Sequence, residues 1–179
     1  MAPRVLGLDL SVTGTGVAWK DGRTYTVTPD LEGDARLGEI RDAVRLAAGG
    51  CPKGTRGTNR WVDLAVLEDV PPVRAASTAV LGMVHGVVRT MLIEAGVPYA
   101  LVPPSSLKKY ATGRGNAPKP DLRMALFQRT GADIRDDNQV DATWLRLMGL
   151  DALGHPAVAL PQAHRAVLDK IHWPTGGKR

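Results

Sequence analysis

Three acids stand where acids are costly. Asp9 closes the apolar run that begins at Val5. Glu68 ends a second run, in Val66-Leu67-Glu68-Asp69. Asp141 lies in Gln139-Val140-Asp141-Ala142-Thr143-Trp144-Leu145, among apolar neighbours on a predicted helix. A carboxylate removed from water must be paired, protonated or bound to a metal. Each acid alone has an ordinary explanation, a turn cap or an arginine partner. Three converging at one sheet end would repel one another unless a divalent cation neutralised them. Oxygen-rich donors favour Mg²⁺ or Mn²⁺ over zinc. Two such ions about 4 Å apart can activate water and stabilise the leaving oxygen of a phosphodiester. Asp137 and Asn138, four and three residues before Asp141, can share its helical face and are further candidate ligands.

A second candidate is the stretch Lys108-Lys109-Tyr110-Ala111-Thr112-Gly113-Arg114-Gly115-Asn116-Ala117-Pro118-Lys119. Five basic residues and one acid, Asp121, fall between Lys108 and Arg123. Glycine lets backbone approach a phosphate and lysine supplies a point charge, although a solvated basic loop has the same composition. The G-x-x-x-x-G-K-[ST] spacing of a nucleotide-binding loop is absent, as is a G-x-S-x-G elbow. His85, within an apolar helical pattern, is expected to be packed rather than a ligand. The other histidines have no metal spacing, and Cys51 has no evident partner.

The elements that would carry these groups follow from periodicity. Strands are expected over Val5–Asp9, from Val17, over Thr24–Thr28, over Trp61–Val70 and over Pro98–Val102. Val62, Leu64, Val66 and Glu68 form one alternating set. Helices are expected over Ala35–Ala48, Ser77–Glu94, Asp121–Arg129 and Asn138–Gly149, with one more near Gln162–Ile171. Gly49–Arg60 and Pro103–Pro120 look like loops. The helix from Ser77 is apolar almost all round, as a buried or subunit-interface helix would be. The expected architecture is a mixed sheet flanked by helices, α/β, in one domain over residues 1–150 with a C-terminal extension over 151–179.

Composition agrees with a globule: 179 residues, 44% hydrophobic and 23% charged. No apolar run is long enough for a membrane span, and Asp9 comes too early for a secretory signal. One cysteine excludes a disulfide framework, so a cytoplasmic setting is expected. Lysine plus arginine number 23 against 18 acids, which leans toward a polyanionic partner.

Taken in order, these segments resemble the RuvC-type Holliday junction resolvases of the RNase H-like nuclease superfamily. Gly7-Leu8-Asp9 with Thr13-Gly14-Thr15-Gly16-Val17 is similar to the family's first strand and glycine turn. Leu67-Glu68-Asp69-Val70 resembles the glutamate strand, and Leu81-Gly82-Met83-Val84-His85-Gly86-Val87 the helix after it. Pro104 to Lys119 follows P-x-x-[VL]-K…G-x-G-x-A-x-K without a gap, and Asp141-Ala142 matches the last helix.

The resemblance implies an RNase H-like five-stranded fold and a metal-dependent endonuclease cutting four-way DNA junctions as a homodimer. It places Asp9, Glu68 and Asp141 on two Mg²⁺ or Mn²⁺ ions. Lys119 would stabilise transition-state charge, and Lys108 would position the strand. Lys109, Arg114 and Arg74 are further candidate DNA contacts. The family's fourth acid falls here on Asn138, with Asp137 beside it. An aromatic after the family's glutamate is replaced by Pro71, which keeps open a broader nuclease for flaps and other branched DNA. A catalytically decayed junction-binding protein is the third possibility. The arginine- and alanine-rich composition fits a phage of a GC-rich host as well as a bacterium.

Overall fold

The computed structural model describes residues 2–49, 62–70 and 75–174. Strands β1 (Val5–Asp9), β2 (Thr15–Ala18) and β3 (Thr24–Val27) form an antiparallel meander. Helix α1 (Ala35–Ala47) leads to β4 (Leu64–Glu68), and α2 (Ala75–Glu94) leads to β5 (Tyr99–Val102). Both later strands run parallel to β1, giving one sheet in the order β3-β2-β1-β4-β5. Helices α3 (Pro104–Thr112), α4 (Lys119–Thr130) and α5 (Asp137–Ala152) follow. A short α6 (Gln162–Arg165) and a 3-10 turn (Leu168–Lys170) end the described chain. This is the expected mixed five-stranded α/β architecture.

Strand alternation splits the interior into two apolar clusters. Leu6 and Leu8 of β1, with Ala65 and Leu67 of β4, pack against α1 and α2 through Ile40, Val44, Val84 and Val88. On the opposite face Val5, Leu64 and Val66 meet Leu107, Tyr110, Leu126 and Trp144 of α3, α4 and α5. Val62, expected to share a side with Leu64, precedes β4 and packs in the α1–α2 cluster.

Helix α5 lies against the centre of the sheet because glycines let it. A Cβ on Gly7 would stand 2.0 Å from the Ala142 carbonyl oxygen, and one on Gly16 2.0 Å from that of Asn138. Glycine inside a strand marks close backbone approach. The reverse contact, Gly149 of α5, sits on Val66 and Val5 at 2.6 and 2.7 Å from the same construction.

The expected loop over 103–120 is mostly helix. Pro104 opens α3 and Pro120 lies in the first turn of α4. Proline is favoured at those positions, where its missing N–H would have no intrahelical partner. Gly113, at φ +82°, closes α3 with its N–H on the Lys109 carbonyl. The helix expected over Gln162–Ile171 is instead α6 and the separate 3-10 turn. The segment holding Cys51 and the Pro71–Arg74 stretch lie outside the described residues.

The C-terminal segment docks through one polar network. Arg165 donates to both oxygens of Asp151, at 2.6 Å from Nη2 to Oδ1, and the Tyr110 hydroxyl donates to Asp151 Oδ2 at 3.0 Å. Burial and the neighbouring carboxylate push the Tyr110 phenol well above its ordinary pKa. His164 Nδ1 stands 3.0 Å from the Tyr110 carbonyl oxygen. Among the described residues no helix is long and apolar enough to cross a membrane.

Candidate active site

Register brings the first two acids together. Gly7 pairs with Val66 and Leu8 with Leu67 across the parallel strands, so Asp9 and Glu68 are the next pair at the strand ends. Alternation turns both toward α5, on the side of Val5, Leu64 and Val66. Asp9 is buried at 8% exposure, and Glu68 is half-buried. The turn after Asp9 is fixed locally: Thr15 Oγ1 donates to the Ser11 carbonyl at 2.8 Å, and Gly14 N–H donates to Ser11 Oγ at 3.0 Å.

Asp141 arrives on α5, whose start is pinned to the sheet. Asp136 caps the helix by accepting from the Asn138 and Gln139 N–H groups, and the Thr26 hydroxyl of β3 donates to it at 2.7 Å. The contacts at Gly7 and Gly16 then lay residues 138–146 across β1 and β2. Asp141 is left buried, at 7% exposure, beside the strand-end acids.

Two lysines face this group. Lys119, the first residue of α4, holds Nζ 3.9 Å from Asp141 and 3.6 Å from Asp137. It also interacts electrostatically with Asp9 and Glu68, and Lys108 of α3 does so with Glu68 and Asp141. The lysines do not cancel the cost of burial. Desolvation, then repulsion from Glu68 and Asp141, pushes Asp9 up to about 9. Burial and repulsion from Glu68 likewise push Asp141 up to about 7, with Asp137 adding to the rise. Glu68 is also raised, chiefly by burial. Asp9 therefore keeps its proton near neutrality and donates it to Glu68 in a side-chain hydrogen bond.

Among the described residues no three acidic, histidine or cysteine side chains close around a single point. The donor set nonetheless has the chemistry of a divalent-cation site: hard oxygen ligands, mutually repelling and desolvated. The other expected contacts are less uniform. Asn138 turns toward Gly14, its Nδ2 being 3.1 Å from where a Cβ there would stand. Arg114 is ion-paired with Asp121, and Lys109 is exposed on α3. Arg74 lies outside the described residues. Gly7 and Gly16, which set the α5 approach, have no chemical signature of their own; glycine inside an apolar strand pattern was the available signal.

A sheet in this order with acids at the ends of β1 and β4 and on the last major helix defines an α/β protein of the RNase H-like class. No family model matches the chain. It is 30% identical over 149 residues to crossover junction endodeoxyribonuclease RuvC of Burkholderia pseudomallei, covering 74% of this chain and 78% of that protein. It is 27% identical over 159 residues to the RuvC of Synechococcus sp., covering 82% and 97%. Among solved structures, Thermus thermophilus RuvC with a Holliday junction substrate superposes with a TM-score of 0.66 at 19% identity, over 88% of this chain and 99% of that one. A second Thermus thermophilus RuvC structure gives 0.63 at 18%, over 87% and 99%. The chain belongs to the RuvC family of crossover junction endodeoxyribonucleases.

Proposed function

We propose that this chain is a metal-dependent, structure-selective DNA endonuclease that hydrolyses phosphodiester bonds at four-way junctions. The observation that carries it is the cluster of desolvated Asp9, Glu68 and Asp141 faced by Lys119, in a chain of the RuvC family. Asp9, Glu68 and Asp141 would hold Mg²⁺ or Mn²⁺, two ions per site. Asp137 is the acid at the edge of the cluster, and Asn138 offers an amide oxygen. When bound, the ions supply a nucleophilic water and charge neutralisation at the leaving oxygen.

The chain's own groups do the rest. Lys119, half-exposed at the mouth of the cluster, meets the scissile phosphate and stabilises the charge that develops on it. Lys108 holds the same strand from the α3 side, with Lys109 and Arg114 further along the backbone path. The α5 helix fixes Asp141 through backbone contact, so the acids are positioned before substrate arrives.

Junction cutting calls for two such sites. Helix α2 buries Val84, Val88 and Met91 but leaves Val80, Met83 and Ile93 exposed at 44, 43 and 65%. That outward apolar face supports a two-fold pairing of chains through α2.

The test is cleavage of a labelled four-way junction beside linear duplex and a flap, with Mg²⁺, Mn²⁺ or EDTA. Paired symmetric nicks on the junction, lost with EDTA and lost in Asp9→Asn while junction binding persists, are expected. Comparable cutting of flap and junction would replace this reading by a broader branched-DNA nuclease. Binding without cutting under either metal would leave a DNA-binding relative.

A further inference from the structure

Helix α4 is apolar on two sides. Leu122, Ala125 and Leu126 face the core, whereas Met124 and Phe127 stand 56% and 49% exposed on the other side. Phe127 is the only phenylalanine in the chain, and its ring is half in water. Arg123 and Lys119 continue the same stripe at helical spacing toward the start of α4. Between this stripe and the turn into α5 runs a groove of about 480 Å³, lined by Lys119, Arg123, Met124, Phe127, Asp133 and Asp137.

The groove is continuous with the carboxylate cluster. Lys119 and Asp137 line the groove, and Lys119 Nζ also reaches Asp141. Its wall thus carries charged side chains at the end nearest the cluster, Lys119 with Asp137 and Arg123 with Asp133, and is apolar at the far end. Arg123 is held in place by Asp133 at 2.7 Å. Asp137 and Asp133 each pair with one of the two cations, so the lining is formally neutral; both pairs are half-exposed and worth little, so a phosphate would exchange for them at small cost.

We propose that this groove takes one unstacked nucleotide of the branched DNA, its base lying on Phe127 and Met124 and its phosphate between Lys119 and Arg123. This rests on the reading of the chain as a junction endonuclease. Every base has a π-face, so an exposed aromatic ring beside a cationic backbone track is a sequence-tolerant platform for a nucleotide pulled from the duplex. The volume lies in the ordinary range for small ligands. A strand whose phosphate meets Lys119 has its adjoining nucleotide at the mouth of the groove, which favours DNA over a protein segment as the occupant.

The experiment uses the full chain with EDTA and four-way junctions carrying 2-aminopurine at successive positions around the exchange point. Native protein is expected to brighten the probe at one position, Phe127→Trp to quench it at that same position because indole stacked on 2-aminopurine quenches its emission, and Phe127→Ala to lose most of the native signal. Loss of base–aromatic stacking weakens junction affinity in Phe127→Ala by about five-fold or more, with Phe127→Trp staying close to native. Phe127→Leu, which keeps the apolar surface and the fold, follows the alanine variant in probe response. Phe127→Ala indistinguishable from native in probe response and affinity, with the junction cut normally once Mg²⁺ replaces EDTA, overturns the groove and leaves the nuclease reading intact. A native chain that neither binds nor cuts the junction overturns both. A change of oligomeric state in Phe127→Ala, with the probe response unchanged, assigns the face to a second copy and overturns the proposal.

Discussion

Replacing Asp9 by asparagine should stabilise the metal-free protein while abolishing its chemistry. Asp9 is held to about 9 in the folded chain, against 3.8 as its ordinary value. Between those limits the unfolded chain has released a proton that the folded chain retains. The Asp9 contribution to stability is therefore fully present in acid and is lost as pH rises toward 9. Each pH unit is worth at most about 1.4 kcal/mol, so the interval from pH 4 to 7 sets a ceiling of about 4 kcal/mol. Part of that ceiling belongs jointly to Glu68 and Asp141, whose repulsion raises Asp9. Replacing this ionisable group, which must take up a proton on folding, should recover about 2 kcal/mol at pH 7 to 8. The asparagine amide can donate to Glu68 much as the protonated acid does, so no buried acceptor is stranded. Urea denaturation of native and variant chains in EDTA, at several values from pH 4.5 to 8, measures the difference directly. The gain should be near zero at the acid end and grow toward pH 8. A variant no more stable than the native chain at pH 8, or a gain independent of pH, would refute the reasoning.

Three further outcomes follow from the geometry. Lys119→Met should slow single-turnover cleavage by about 100-fold, the scale for losing one charge-stabilising donor, with junction affinity reduced far less. Gly16→Ala would drive a Cβ into the Asn138 carbonyl, and α5 must shift; about 3 kcal/mol of stability and most of the cleavage should be lost together, seen in paired denaturation and activity assays. Tyr110→Phe removes a hydrogen bond to buried Asp151 and should cost about 1 kcal/mol in urea melts while leaving cleavage unchanged.

Much of the fold was legible because alternation and helical period report burial directly. Val5 to Asp9 was legible as a strand, and the expected strand over Trp61–Val70 contains the observed Leu64 to Glu68; the acids Asp9 and Glu68 were conspicuous against apolar neighbours. The 103–120 region misled because proline and glycine mark helix boundaries as well as loops. Pro104 and Pro120 sit in first turns, and Gly113 is a helix stop. Period alone could not distinguish these roles. What no local pattern carries is the partner of Gly7 and Gly16. Their meaning lies in a helix more than a hundred residues later, and only the tertiary contact shows that these glycines aim Asp141. The opposite behaviour of Asp137 and Asn138, one at Lys119 and the other toward Gly14, depends on the same docking.

The α5–glycine contact also governs when the cluster comes into being. Asp9 lies on the first strand and Asp141 on the last long helix, and nothing between them brings the two together until α5 has laid its backbone on β1 and β2. A chain still on the ribosome with residue 141 unsynthesised has strand-end acids but no complete acidic cluster. On the proposed function, cutting would have to wait until the sheet and its final helix have joined. Such pairing across most of the sequence is among the slower steps of folding, so the acidic cluster itself is assembled late and nearly all at once.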